Sequence, residues 1–253
     1  MLLHQASWPE IETYLETCRG ILVPIGSTEQ HGPNGLIGTD ALCPEIIAHH
    51  AARQAGFLVA PTFNVGMAQH HLAFPGSISL RPSTMIAVLN DWIASLAGHG
   101  FRQIYFFNGH GGNITTINAA FSEFYASYSM RGEACPIVLK QRNWWELGGV
   151  MDTCKRLFPS ADGSHATASE ISVTYFGYPD SIKRVEMKPK IAPDGTFTDA
   201  ADFRRNFPDG RMGSDPSQAT PEKGEEIVKQ ASAALISEIE RFFEPVKREA
   251  AAE

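Results

Sequence analysis

The segment RQIYFFNGHGGN at residues 102–113 decides the fold. Its first half, residues 102–107, contains the apolar and aromatic run of residues 104–107, which is typical of a buried β-strand. Its second half is polar and rich in glycine, and it leads into a helix-length amphipathic segment over residues 114–128. A strand that passes through a tight loop into a helix is half of a β–α–β unit, so the stretch predicts a parallel sheet.

The same alternation of strand and helix patterns continues along the chain. Further strands are predicted at residues 20–25, 57–60 and 136–140, and helices at residues 8–18, 40–55, 82–97, 114–128, 166–176 and 221–243. This order favours an α/β fold with a largely parallel sheet and helices on both faces. Residues 187–220 are rich in Pro, Gly, Asp and Arg and too short for a domain. We therefore predict one domain over residues 1–253 with a long irregular loop there, serving as a lid or an intersubunit arm.

Composition and charge exclude several classes of protein. The 253 residues are 43% hydrophobic and 19% charged, which predicts a globular chain. The formal net charge of -7 argues against a nucleic-acid or anionic-membrane partner, and no apolar run is long enough to span a bilayer. The first residues have neither the basic region nor the long apolar region of a secretory leader, so we expect none, and the four cysteines form no CxxC pair. We therefore predict a cytoplasmic protein with reduced thiols.

Polar side chains gather where the predicted strands end. Glu29 and His31 follow the first strand, Asp40 opens the next helix, and His110 follows the strand of the opening segment. Glu170 stands near the start of a later helix. Ligands of α/β sheets bind beyond the carboxyl ends of the strands, so these side chains are candidates for one site. Imidazoles and carboxylates without a thiolate suit Zn, Mn or Fe, and a carboxylate such as Asp40 could bridge two ions.

Plainer interpretations of the same residues stay open at this point. Taken alone, residues 29–31 form a polar loop, and the glycines of residues 109–112 are typical of a tight turn. The dinucleotide pattern GxGxxG fails because Ile114 stands where its last glycine belongs, and the chain has no GxxxxGK[ST] loop. His70 and His71 are equally compatible with a turn and with the lining of a site.

Several segments resemble the motifs of the creatininase (creatinine amidohydrolase) family. VPIGSTEQHGP over residues 23–33 is similar to its first metal segment, and NGHGGN over residues 108–113 is similar to its glycine-rich loop. Other segments that are similar to family motifs lie, in the family's order, at residues 38–40, 74–80, 165–172, 210–216 and 219–224. The resemblance covers residues 22–224. It implies a three-layer α/β/α sandwich that assembles as a homo-oligomer, usually a hexamer.

The resemblance also implies a binuclear metal hydrolase that acts on a small-molecule substrate. One divalent ion, Zn or Mn with Fe as an alternative, takes Glu29, Asp40 and His110. The other takes His31, Asp40 and a further carboxylate. His165 matches the histidine that gives or accepts a proton in the reaction.

Two departures separate this chain from the creatinine-cleaving enzyme. Gly112 stands where that enzyme has a glutamate ligand, so Glu170 is the candidate replacement, with His165 and Glu170 as the catalytic residues. Ala161 stands where that enzyme has a tryptophan that closes over the substrate. The predicted substrate-binding residues are His70, Ser77, Gly111, Gly112, Trp144 and Trp145, with the two tryptophans as lid or stacking residues.

Together with these residues, the resemblance implies a hydrolase in which metal-bound hydroxide attacks a carbonyl carbon of a small cyclic substrate. A cyclic amide or another non-peptide C–N bond is the favoured target. A cyclic ketone or lactone from sugar or inositol catabolism, cut at a C–C or C–O bond, is the alternative. A non-catalytic small-molecule binding protein would be indicated by a lost ligand, and every ligand type is present.

Overall fold

Three parallel strands form the sheet in the computed structural model, which describes the backbone of residues 1–250 and the side chains of residues 1–247. They are β1 (Gly20–Ile25), β2 (Gln103–Asn108) and β3 (Val138–Asn143), in the order β1-β2-β3. The register pairs the last residue of each strand with the last residue of its neighbour. All three strands therefore end at one edge of the sheet.

The prediction of a strand over residues 57–60 is wrong. The segment runs beside β1 but makes isolated parallel bridges with it, through Val59 to Leu22 and through Phe63 to Ile25. Pro24 explains the interruption, because proline has no N–H to donate to the neighbouring segment. Contact resumes where the Phe63 N–H donates to the Pro24 carbonyl at 2.9 Å.

The predicted helices are all present. The α-helices of the described chain are α1 (Trp8–Leu15), α2 (Thr39–Ala55), α3 (Pro82–Gly98), α4 (Ile114–Ser129), α5 (Val150–Leu157), α6 (Ala168–Gly177), α7 (Ala200–Asn206) and α8 (Pro221–Ala250). α5 and α7 lie outside the predicted helices, and α7 interrupts the 187–220 segment that the sequence predicts to be irregular. Over residues 1–250, no helix is both long and apolar enough to cross a membrane.

Helices cover both faces of the sheet, which confirms the α/β/α sandwich. Tyr105 and Phe107 extend from β2 into the core that α2, α5, α6 and α8 cover. Ile104 and Phe106 extend into the opposite core, which α3 and α4 cover. Successive residues of a strand alternate between faces, so β2, which is covered on both sides, buries all of its residues. This double burial explains why residues 104–107 of β2 are continuously apolar or aromatic.

Candidate metal centre

The candidate ligands lie together at the carboxyl end of the sheet. Glu29 and His31 follow β1, and His110 follows β2. Asp40 belongs to the first turn of α2, and Glu170 belongs to the first turn of α6. These side chains come from separate segments, and the fold brings them to one place.

Asp40 is held by close backbone contacts with two glycines. A Cβ atom at Gly26 would lie 2.1 Å from the Asp40 carbonyl oxygen, and one at Gly109 would lie 2.0 Å from it. A larger residue at either position would therefore push the start of α2 away from the strand ends. Asn113 ties the same loops together, because its side-chain amide donates to the Gly26 carbonyl at 2.9 Å. The glycines of the two motifs thus set the position of the Asp40 carboxylate.

Two groups of candidate ligands share Asp40. The donor atoms of Glu29, Asp40 and His110 lie within 4.8 Å of one another, and so do those of His31, Asp40 and Glu170. Oδ2 of Asp40 lies 2.7 Å from Nδ1 of His110, and Oδ1 lies 3.0 Å from Nε2 of His31. Oε1 of Glu170 lies 3.9 Å from Nε2 of His31. The two oxygens of the Asp40 carboxylate therefore face the two groups, as those of a bridging ligand would.

The buried carboxylates fit a cation. Glu29 is fully buried, and Asp40 is 4% exposed. Glu29 Oε1 lies 3.1 Å from a nitrogen of His71 and Asp40 Oδ2 lies 2.7 Å from a nitrogen of His110, but neither oxygen has a hydrogen bond of normal geometry. Burying carboxylates is costly unless their charge is compensated. A divalent cation among these converging nitrogen and oxygen atoms would provide that compensation.

The carboxylates control the protonation of the histidines among them. Burial lowers the pKa of His31, but Asp40 and Glu170 outweigh it and raise that pKa to about 10. Burial also lowers the pKa of His110, and Glu29 with Asp40 outweighs it and raises that pKa to about 9. Burial raises the pKa of Glu170 to about 7. The metal-free histidines therefore hold protons at neutral pH that a metal ion must displace.

Binding of Zn²⁺ to the metal-free protein at pH 8 is expected to release protons, about two per chain if both ligand groups fill. His31 and His110 hold these protons because their pKa values, about 10 and about 9, lie above that pH. Calorimetric titration in two buffers with different heats of ionisation measures the number released. The apparent affinity should fall as the pH is lowered, since more protons then compete. An enthalpy that is identical in both buffers would contradict this expectation.

His165 lies at the edge of the candidate centre and is held there by the 187–220 segment. Its backbone N–H donates to the Met212 carbonyl at 3.3 Å, and the Met212 N–H donates to the His165 carbonyl at 3.2 Å. Nδ1 of His165 lies 3.8 Å from Oε1 of Glu29. The donor atoms of Glu29, His31 and His165 form a third group within 4.8 Å. The position of His165 suits either a proton carrier or a ligand.

A cavity of about 490 Å³ opens over the candidate ligands, a size typical of small-molecule sites. Its lining includes Asp40, His110, His165 and Glu170 and, among the predicted substrate-binding residues, His70, Gly111, Gly112, Trp144 and Trp145. Ser77 is not among the lining residues, and its hydroxyl instead accepts a hydrogen bond at 3.1 Å from the backbone N–H of Gln30, between two candidate ligands. A larger cavity of about 650 Å³, between Tyr175 and Glu222, contains none of the candidate ligands.

Sequence reasoning misses part of this site. Nε2 of His71, a residue that the sequence leaves undecided, lies 3.1 Å from Oε1 of Glu29. Phe197 and Phe203 line the cavity, with ring centroids 4.7 Å from that of His70 and 4.6 Å from that of His71, respectively. The sequence does contain a signal for His71, which is the pair of adjacent histidines that it forms with His70. No sequence signal points to Phe197 and Phe203, because they lie in the segment predicted to be irregular.

The fold and the site together define an α/β enzyme with a cluster of buried metal-ligand side chains. The chain belongs to the creatininase family, whose model, described as creatinine amidohydrolase, matches residues 4–239. This match confirms the resemblance seen in the motifs. The protein is therefore a hydrolase of that family.

Relatives that match this chain carry different names. The chain is 26% identical over 258 residues to the creatinine amidohydrolase of Pseudomonas putida, covering 95% of this chain and 96% of that protein. It is 28% identical over 236 residues to the mycofactocin precursor peptide peptidase of Mycolicibacterium smegmatis, covering 88% and 85%. It is 31% identical over 137 residues to the 3-dehydro-scyllo-inosose hydrolase of Thermotoga maritima, covering 54% and 42%. The names describe different compounds, so family membership leaves the substrate open.

Solved creatininase structures share the fold. A structure described as the Mn creatininase is 26% identical, with a TM-score of 0.81, and the match covers 96% of this chain and 98% of that one. A mutant creatininase of Zn-Zn type is also 26% identical, with a TM-score of 0.79 and the same coverage. Both agree with the three-layer architecture described above.

Proposed function

We propose that the protein is a binuclear, metal-dependent hydrolase that opens a small cyclic substrate at an amide-type C–N bond. The position of Asp40 carries the proposal, because its oxygens face two groups of buried ligands, at 2.7 Å from His110 and at 3.0 Å from His31. Two-metal hydrolases hold their ions about 3.5–4 Å apart, a spacing that one bridging carboxylate can span. Zn and Mn, with Fe as an alternative, suit the donor atoms.

The residues around the cavity have separate roles in the proposed reaction. Divalent ions held by the two ligand groups would polarise the substrate carbonyl and lower the pKa of water to about 7. His165 takes a proton and delivers it to the leaving nitrogen, which is the work of a general acid–base residue. The backbone N–H groups of Gly111 and Gly112, which line the cavity, donate to the oxygen on which negative charge develops.

The cavity lining favours a substrate without negative charge. Among the described residues, no lysine or arginine lines the cavity. Trp145 and Phe197 contribute aromatic rings to the lining, and Asp162 contributes a carboxyl group. Proteins usually hold carboxylates and phosphates with arginine or lysine, whereas aromatic faces attract neutral and cationic groups. We therefore expect a neutral or cationic ring.

A second candidate is the opening of a cyclic ketone or lactone. The 31% identity over 137 residues to the 3-dehydro-scyllo-inosose hydrolase favours it. So do Gly112 and Ala161, which replace two residues typical of the creatinine-cleaving enzyme. The products distinguish the candidates, since only C–N cleavage releases an amine.

Elemental analysis followed by a hydrolysis screen tests the proposal. Purified, unchelated protein is expected to hold about two equivalents of Zn, Mn or Fe per chain. The screen covers cyclic amides, formamides, lactones and cyclic polyol ketones. The pair 2-pyrrolidone and 5-oxoproline, which differ by a carboxylate, tests the charge preference. Protein that takes up neither Zn nor Mn would overturn the metal-dependent proposal, and ketone or lactone opening without amide cleavage would favour the second candidate.

Replacing Glu170 with glutamine is expected to remove one of two bound ions. Glutamine still accepts the hydrogen bond from the Thr167 N–H that caps α6, so the helix start should survive. Thr167→Ala is the matched control, because it removes the other half of the capping box and keeps the carboxylate. Elemental analysis of both variants measures the difference. A Glu170→Gln protein that retains two ions would exclude Glu170 as a required ligand.

A further inference from the structure

The side-chain amide of Gln30 lies buried beside the candidate ligands in a fixed orientation. The Gly32 N–H donates to its Oε1 at 2.8 Å, and its Nε2 donates to the Gly210 carbonyl at 2.9 Å. An amide oxygen only accepts and an amide nitrogen only donates, so these backbone partners exclude the flipped amide. A Cβ atom at Gly210 would lie 1.8 Å from the Gln30 Oε1, so a side chain there would displace the amide.

The amide nitrogen of Gln30 has more neighbours than hydrogens. Besides the Gly210 carbonyl, Nδ1 of His71 and Nε2 of His165 each lie 2.9 Å from it. Gly210 takes one hydrogen. His71 takes the other, because an amide nitrogen only donates, so a proton on Nδ1 of His71 would face the amide N–H without an acceptor. His71 is therefore neutral and protonated at Nε2.

His165 must then bond in a different way. With both amide hydrogens engaged, Nε2 of His165 carries a proton and donates it to the Gln30 backbone carbonyl, 2.9 Å away. Nδ1 keeps its lone pair, on the side where Oε1 of Glu29 lies 3.8 Å away. In a neutral imidazole one nitrogen donates and the other accepts, and the partner of the first decides the role of the second.

We infer that Gln30 is a positioning residue that fixes the tautomers of His71 and His165. Its backbone carbonyl holds the proton of His165 at Nε2, and its side chain supplies the donor that His71 needs at Nδ1. Nδ1 of His165 is thereby the atom that accepts the proton in the reaction. This assignment rests on the proposed function of His165.

A neutron crystal structure of the deuterated, metal-free protein locates these hydrogens directly. Deuterium is expected on Nε2 of both His71 and His165, and on Nδ1 of neither. Deuterium on Nδ1 of either histidine would overturn the inference. The measurement requires no substrate, so its outcome is independent of whether the proposed hydrolysis is correct.

Two variants test the consequence for turnover. Gln30→Met keeps the volume of the side chain and removes its hydrogen-bonding atoms. It is expected to lower kcat by about 10–100-fold, the usual effect of groups that orient active-site ligands, with KM and metal content retained. Gly210→Ala places a Cβ atom against the Gln30 amide and strains a backbone whose φ is 85°, so it displaces the amide without changing its chemistry and should act in the same direction. Wild-type kcat in a metal-loaded Gln30→Met protein would contradict the inference, and so would a loss of kcat that only follows a loss of metal. If neither variant folds, the neutron structure still decides.

Discussion

Replacing Asp40 with asparagine is expected to abolish metal binding and hydrolysis together. The Asp40 oxygens lie 2.7 Å from His110 and 3.0 Å from His31, so one carboxylate serves both ligand groups. Asparagine keeps the shape but has one acceptor oxygen and no charge, so it cannot compensate two divalent ions. Each ion contributes several kcal/mol of transition-state stabilisation, so turnover should fall by at least about 10³-fold. Elemental analysis and initial rates on the same preparation measure both effects.

Asp162→Asn is the matched control for this variant. Asp162 lines the same cavity, but its Oδ1 accepts a hydrogen bond from the Ser169 N–H at 2.8 Å, which an asparagine oxygen also accepts. The control is expected to keep its metal ions. An Asp40→Asn protein with two ions and full turnover would rule out the bridging role, and the loss of one ion alone would restrict Asp40 to a single ligand group.

The sequence predicts most of the fold because its signals are local. The continuous apolar and aromatic run of residues 104–107 reflects a strand that is covered on both faces, and such burial leaves a pattern in the chain itself. The prediction of a strand at residues 57–60 is wrong because of a residue in another segment. Pro24 in the neighbouring strand β1 has no N–H, so it cannot donate a hydrogen bond to residues 57–60. Local sequence patterns therefore predict where helices and strands form better than they predict which strands pair with one another.

The candidate site likewise contains residues that the sequence predicts and residues that it does not. Glu29, His31 and His110 follow strand ends, where an α/β sheet places its ligands, so motif and position agree. Phe203 belongs to α7, and its place beside His71 depends on how the whole 187–220 segment folds back over the strand ends. No short pattern encodes that path. The homo-oligomeric, hexameric assembly rests on the resemblance and stays a prediction.

Replacing His165 with alanine is expected to leave the metal ions in place and to lower kcat by about 10²–10⁴-fold, the usual contribution of a general acid–base residue. Burial, together with the positive charge of His31 beside it, holds the pKa of His165 well below its ordinary value. The imidazole is therefore neutral at rest and can accept a proton. Added imidazole should restore part of the lost rate, because the truncated side chain leaves room for it beside the cavity.

Metal content distinguishes this role from that of a ligand. The donor atoms of His165 lie within 4.8 Å of those of Glu29 and His31, so the geometry also allows coordination. If His165→Ala loses an ion, His165 is a ligand and the proton carrier must be sought elsewhere. Glu170 is then the next candidate, because burial raises its pKa to about 7 and its carboxyl group faces the same cavity.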